Sequence, residues 1–242
     1  MNNKKLPLIY IFPNLVTVIS LCFGMSAIRY GLDERWELAV GLLVASAFLD
    51  GMDGRLARML NASSKFGAEL DSLADFINFG VAPALILYSW GLNNFPLKGF
   101  GWAIALTFTI CSAFRLARFN SELAIDTDNE KSKNYFIGIP APCAAGLAIV
   151  PIMLSFELKI FFFQEQPIFL ALYLLFIAFM MASLTPTISV KHLQINNRFL
   201  LPTLFLCTIF IVLLIIKPWL TLPILGFIYL SVIPISILKY YK

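Results

Sequence analysis

The chain is 242 residues long, 60% hydrophobic and only 13% charged, with a mean hydropathy of +0.83. Charge this sparse excludes a soluble globular domain, in which about a quarter of residues are charged, and points to a polytopic helical membrane protein. The net charge of +4 reads as membrane topology and contact with anionic headgroups and phosphates, and nothing in its pattern suggests nucleic acid.

Lys4 and Lys5 precede the first apolar run, which Pro13 and Asn14 interrupt and no small-residue cleavage site follows. The segment is therefore expected to stay as a span rather than be removed as a signal peptide. Hydropathy and breakers predict an all-α transmembrane bundle of about eight spans, at 11–30, 36–56, 67–90, 99–120, 137–156, 167–185, 199–216 and 219–238. The connections are short, and only 121–136 is long, polar and strongly charged. The segment 185–191 reads as a polar loop whose Lys191 could attract an anionic headgroup.

Cys22, Cys111, Cys143 and Cys207 all lie in apolar segments without CxxC spacing and read as small buried hydrophobes. His192 is the single histidine and reads as a loop residue, so histidine-based catalysis is not expected. Lys4, Lys5, Arg55, Arg58, Lys65, Arg115 and Arg118 fall on one side of the predicted spans, together with Lys131, Lys133, Lys191, Arg198, Lys239 and Lys242. Arg29, Arg35, Lys98, Lys159 and Lys217 fall on the other. The positive-inside rule then makes both termini cytoplasmic.

The second and third spans carry the chemistry. Asp50 and Asp53 are three residues apart, and Asp71 and Asp75 four apart, so each pair projects from one helix face. Carboxylates at membrane depth are expensive and mark a functional site by default. Two such helices side by side aim four oxygen ligands at one point, which suits a pair of hard divalent cations able to grip a diphosphate. Gly51, Gly54 and Gly67 remove side chains where a nucleotide can approach the backbone. Arg58, with Lys65 in support, is placed to neutralise phosphate oxygens. The set suits an alcohol attacking a phosphoanhydride, Asp75 being the deepest carboxylate and the least committed to metal. A divalent cation transporter could also use intramembrane carboxylates, but it has no need of the glycine–arginine pattern and would need acids towards the other face.

The run Asp50-x2-Asp53-Gly54-x2-Ala57-Arg58-x8-Gly67-x3-Asp71-x3-Asp75 resembles the signature of the CDP-alcohol phosphatidyltransferases. That resemblance implies a six-helix catalytic core within 1–190, two additional C-terminal transmembrane helices in 191–242, and a homodimer. It implies two divalent cations, Mg²⁺ or Mn²⁺, held by Asp50, Asp53, Asp71 and Asp75, with Asp75 also the general base. The nucleotide and diphosphate of CDP-diacylglycerol would rest on Gly54, Ala57, Arg58 and Gly67.

Three further runs bear on the acceptor alcohol. Pro13-Asn14-Leu15-Val16-Thr17 is ordinary chemistry for a helix start, and it is also similar to a Pro-Asn-x-x-Thr element lining the family's active site. Thr17 is thereby a nucleotide-side candidate and Asn14 an acceptor-side one. Arg115 and Arg118 share a face and read either as interfacial anchors or as a carboxylate or phosphate clamp. Arg115-Leu116-Ala117-Arg118-Phe119-Asn120 and Phe136-Ile137-Gly138-Ile139-Pro140-Ala141-Pro142 together look like the serine-using branch of the family. Asn14, Arg115, Arg118 and Asn120 are accordingly the expected acceptor contacts. L-serine is the expected acceptor, glycerol 3-phosphate the rival, and the location a bacterial or archaeal inner membrane with a cytoplasmic active site.

Overall fold

In a computed structural model the described residues are 11–60, 62, 64–124, 135–188 and 199–240. The expectations for Lys4, Lys5, Lys131, Lys133, Lys191, His192, Arg198, Lys242 and most of the 121–136 loop fall outside them. Helices α1 (Ile11–Leu32) and α2 (Trp36–Met59) form an antiparallel pair. The third span is α3 (Lys65–Asp75), a π turn (Phe76–Val81) and α4 (Ala82–Trp90), and α5 (Phe100–Ala124) is the fourth. The fifth is split into α6 (Ala141–Ala148) and α7 (Val150–Leu158). A short α8 (Phe162–Glu165) precedes α9 (Pro167–Ala182), and α10 (Leu200–Ile216) and α11 (Pro218–Tyr240) complete the chain's helices among the described residues.

The protein is an integral membrane helical bundle. Five helical stretches are long and apolar enough to cross a bilayer: 11–32, 65–90, 100–121, 141–158 and 218–238. Helices α9 and α10 are apolar but shorter, and α2 carries Glu37, Asp50, Asp53, Arg55 and Arg58 along its length. Every predicted span has a helical counterpart, with two departures at the ends of spans. The fifth begins at Ala141 rather than 137, because Gly138 is left-handed (φ +75°) and Pro140 is extended. The segment read as a loop after the sixth span contains a strand, Pro186–Ile188 (β2). It pairs antiparallel with Tyr135–Ile137 (β1), Phe136 opposite Thr187.

Prolines shape the spans. Pro151 has no N–H for the carbonyl of Leu147, and the Tyr173 hydroxyl donates to that oxygen instead at 2.7 Å. The ring of Pro83 would crowd the Phe79 carbonyl in a regular helix. The preceding turn is widened, so that the Ala82 amide donates to Ile77 five residues back.

The apolar core is built from Ala27, Leu43, Ile86, Leu87, Phe108, Ile152, Leu170 and Leu174 and their neighbours. Helix α1 packs along α2 and across α3, the π turn and α4, while α5 packs on α9. Helix α11 lies on α7, α6 and β2. At its start the Trp219 ring meets Phe156 edge-on at 5.4 Å, and Lys217 pairs with Glu157.

Candidate active site

The end of the bundle where α1 and α3 begin and α2 and α5 finish gathers the polar groups. Helices α2 and α3 both pack on α1, and there their carboxylates converge. Ser64 caps α3, its hydroxyl accepting from the Gly67 amide at 3.0 Å. Carboxylate oxygens of Asp50, Asp53 and Asp71 come within 4.8 Å of one another. Asp75 lies beside Asp50 and completes the group. The Thr17 hydroxyl donates to Oδ2 of Asp53 at 2.7 Å.

Unmatched oxygens show what this cluster fits. Oδ1 of Asp50 and Oδ1 of Asp75 are buried without a hydrogen-bond partner. Crowded, partly desolvated carboxylates with free lone pairs are unfavourable alone and favourable around a hard cation. The donor set, all carboxylate oxygen, suits Mg²⁺, Mn²⁺ or Ca²⁺ rather than a thiophilic metal.

Beside the carboxylates lies an open cavity of about 490 Å³. Asn14, Thr17, Asp53, Gly54, Ala57, Arg58, Gly67 and Asp71 line it, so all five predicted nucleotide-side residues share one cavity with two carboxylates. At Gly67 a Cβ would sit 2.7 Å from Oδ1 of Asn14, so any larger residue there would push the Asn14 side chain aside. Gly51 and Lys65 do not line the cavity.

The four acceptor-side candidates do not converge. Asn14 lies with the nucleotide-side residues. Arg115 faces Asp75, Arg118, Cys143 and Tyr229, and its Nε is buried with no hydrogen-bond partner. Arg118 donates to the carbonyls of Ala182 and Ser183, at 3.1 and 3.2 Å, where α9 ends. Asn120 donates to the Ser72 hydroxyl at 3.1 Å, beside Asp71.

A second, apolar slot of about 360 Å³ opens between α2, the π turn, α6, α7 and α11. Ala47 and Phe79 bring it within one helical turn of Asp50 and Asp75, and Cys143 and Tyr229 bring it to Arg115. Leu222, Leu225 and Gly226 form its far wall. Sequence reasoning missed the residues of α11, whose spacing of 222, 225, 226 and 229 marks one helix face.

Carboxylates from the second and third spans, a cavity lined by glycine and arginine and a nearby apolar slot make up the candidate site. The sequence model of the CDP-alcohol phosphatidyltransferases matches residues 10–183, and a second model of that description matches 198–234. The chain belongs to the CDP-alcohol phosphatidyltransferase family.

Three relatives, each named CDP-diacylglycerol–serine O-phosphatidyltransferase, show the range of similarity. One from Mycobacterium leprae is 45% identical over 135 residues, 56% of this chain and 44% of its own length. One from Helicobacter pylori strain 26695 is 39% identical over 204 residues, 84% and 83% of the two chains. One from Bacillus subtilis is 36% identical over 171 residues, 71% and 86%. The chain thus spans less than half of the mycobacterial relative and most of the other two.

Proposed function

We propose that the protein transfers a phosphatidyl group from CDP-diacylglycerol to the hydroxyl of L-serine, releasing CMP. One observation carries the reading: Asp50, Asp53 and Asp71 bring carboxylate oxygens to one point with Asp75 beside them, and Asp53 and Asp71 also line the cavity that holds Gly54, Arg58 and Gly67. The names of the three relatives support serine as the acceptor.

The cytidine and diphosphate lie in the cavity, against Gly54, Ala57 and Gly67, with Arg58 on the phosphate oxygens and Asn14 on the nucleotide. The diacylglycerol tails leave through the slot towards the bilayer. Arg115 receives the serine carboxylate with the donor it keeps free, and Arg118 and Asn120 set the potential and rim of that pocket. Asp75 takes the proton from the serine hydroxyl. That oxygen attacks the phosphorus bearing diacylglycerol, the bond to the bridging diphosphate oxygen breaks, and CMP departs with the electron pair. Asp50, Asp53, Asp71 and Asp75 are the residues that hold two divalent cations, Mg²⁺ or Mn²⁺, which when bound neutralise the diphosphate and the leaving phosphate. The enzyme works as a homodimer in a bacterial or archaeal inner membrane, with this end of the bundle and both termini cytoplasmic.

The test is an acceptor panel. Purified protein with CDP-diacylglycerol and Mn²⁺ is given L-serine, glycerol 3-phosphate, inositol phosphate or choline, and CMP release is monitored. Release with serine alone is expected. Release with glycerol 3-phosphate alone overturns the acceptor and keeps the chemistry. No release with any alcohol, together with metal flux in proteoliposomes, replaces the enzyme by a cation transporter. Asp75→Asn should abolish turnover and keep CDP-lipid binding; turnover like the wild type removes Asp75 as the base.

A further inference from the structure

One helical turn beneath the carboxylates lies a second polar layer with no part in the phosphatidyl transfer itself. Ser20 on α1, Ser46 on α2 and Asn78 in the π turn are each wholly buried. The Ser20 hydroxyl lies 2.9 Å from the Ser46 carbonyl and 3.2 Å from the Ser46 hydroxyl, and the Asn78 amide donates to Ser20 at 3.0 Å. The amide oxygen of Asn78 is seated against Gly24, where a Cβ would collide with it.

Each member is one turn from a group of the site. Ser20 lies three residues beyond Thr17, Ser46 four residues before Asp50, and Asn78 three residues beyond Asp75. The layer therefore ties together the three segments that carry Thr17, Asp50 and Asp75. Such a tie has a physical task. Two carboxylates in contact repel when both are ionised, and the helices carrying them would separate unless something neutral held them. The Asn78 Oδ1 has no hydrogen-bond partner. It is the two hydrogen-bonded serines, the Asn78 amide and the close seat at Gly24 that limit the arrangements open to the three buried segments, since a slip would also strand the groups now paired.

We propose that Ser20, Ser46 and Asn78 are positioning residues: through the seat at Gly24 they fix the register of the π turn on α1 and α2, and so hold Asp75 against Asp50 ready for a divalent cation. The π turn gives the layer its place, since the widened turn and Pro83 leave this stretch free of the regular helical register. The Thr109 hydroxyl 3.3 Å from the Gly80 carbonyl secures its other side.

The inference rests on the reading of Asp50 and Asp75 as ion ligands, and the experiment separates the two. Mn²⁺ is titrated into the detergent-solubilised full-length chain without substrate, with free Mn²⁺ read by electron paramagnetic resonance and thermal unfolding measured in parallel without metal. Asn78→Leu keeps the volume and removes the amide, Ser20→Ala removes one oxygen, and Leu170→Ala, in the core against Gly91 at the other end of the third span, serves as a destabilised control. Loss of an outer-shell partner should weaken Mn²⁺ binding about 10- to 100-fold in Asn78→Leu. Ser20→Ala, which removes the contacts to both Ser46 and Asn78, should act in the same direction, and the double variant should bind no more weakly than the weaker of the two single variants, because Asn78 joins the layer only through Ser20. Leu170→Ala should unfold earlier and bind Mn²⁺ as the wild type does. If Asn78→Leu does not fold, Ser20→Ala decides alone. Variants that bind Mn²⁺ as tightly as the wild type, or whose effects multiply in the double variant, overturn the positioning layer and leave the ion site standing. A wild-type protein that does not bind Mn²⁺ overturns both.

Discussion

Thr17 donates to Asp53 across the interface of the first two spans, at 2.7 Å, and its hydroxyl also lies 3.2 Å from the Pro13 carbonyl one turn back. Asp53 is only 4% exposed, so this hydroxyl is a neutral partner for a desolvated carboxylate in a crowded set. Thr17→Ala leaves that oxygen unmatched, and hydrogen bonds to charged groups contribute about 1.5–3 kcal/mol. The variant should unfold earlier without metal and bind Mn²⁺ less tightly, while Thr17→Ser should restore both. Unchanged unfolding in the alanine variant would show the bond to be replaced by water.

Divalent ions should stabilise the fold itself. Among the described residues the three carboxylates nearest one another come from two helices, α2 and α3, so an ion between them joins elements that otherwise repel. At 100 times its dissociation constant a ligand adds about 2.7 kcal/mol. Chelator-treated protein should therefore melt earlier than protein with Mn²⁺, and Asp71→Asn should blunt the response. A melting temperature indifferent to Mn²⁺ in the wild type would count against the cluster as an ion site.

The two arginines of α5 should separate in kinetics. Arg118 is bonded to the carbonyls that end α9, beside the β1–β2 ribbon, whereas Arg115 keeps a donor free next to Asp75. Arg115→Ala should raise the KM for serine roughly ten- to hundredfold, the worth of a charge-assisted hydrogen bond of about 1.5–3 kcal/mol, with the KM for CDP-diacylglycerol little changed. Arg118→Ala should chiefly lower thermal stability. Equal effects of both on the serine KM would restore the paired clamp expected from their spacing.

The apolar slot predicts a chain-length effect. A Cβ at Gly226 would lie 3.0 Å from Cδ2 of Leu147, so α11 closes tightly on the fifth span there. Gly226→Leu places a branched side chain at the slot wall, and overpacking of this kind typically costs about 1–3 kcal/mol. The variant should use short-chain CDP-diacylglycerol better than long-chain, measured as the ratio of kcat/KM values. An unchanged ratio would move the tails elsewhere.

Much of this architecture was legible because it is local. The span positions come from runs of hydrocarbon, and the spacing of Asp50, Asp53, Asp71 and Asp75 on two neighbouring helices fixes which faces they share. Gly54, Ala57, Arg58 and Gly67 belong to the same stretch. The features that were not legible depend on contacts between distant segments. Arg118 looks identical to Arg115 until α9 is seen to end beside it. That Asn14 lies over Gly67 in the cavity depends on how α1 packs on α3 and could not be read from its own run. The strand at Pro186–Ile188 exists only because Tyr135–Ile137 is its partner. Ser20, Ser46 and Asn78 are unremarkable letters in apolar runs, and only their being one turn from Thr17, Asp50 and Asp75 hints at a shared layer. Gly80 with Pro83 three residues on was the available signal for the π turn.

That turn bears on how the gene can change. A π turn spends one residue more than a regular turn on the same advance, and each residue of an α-helix rotates the remainder of the helix by about 100°. Shortening Phe76–Val81 by one residue would let the span relax to a continuous helix. Either Asp71 and Asp75 would then turn away from Asp50, or Ile86, Leu87 and Trp90 would turn out of the core. Point substitutions in this stretch are graded losses, whereas single-codon deletions are all-or-none. The third span is thus a place where descent can respell the chain but not recount it.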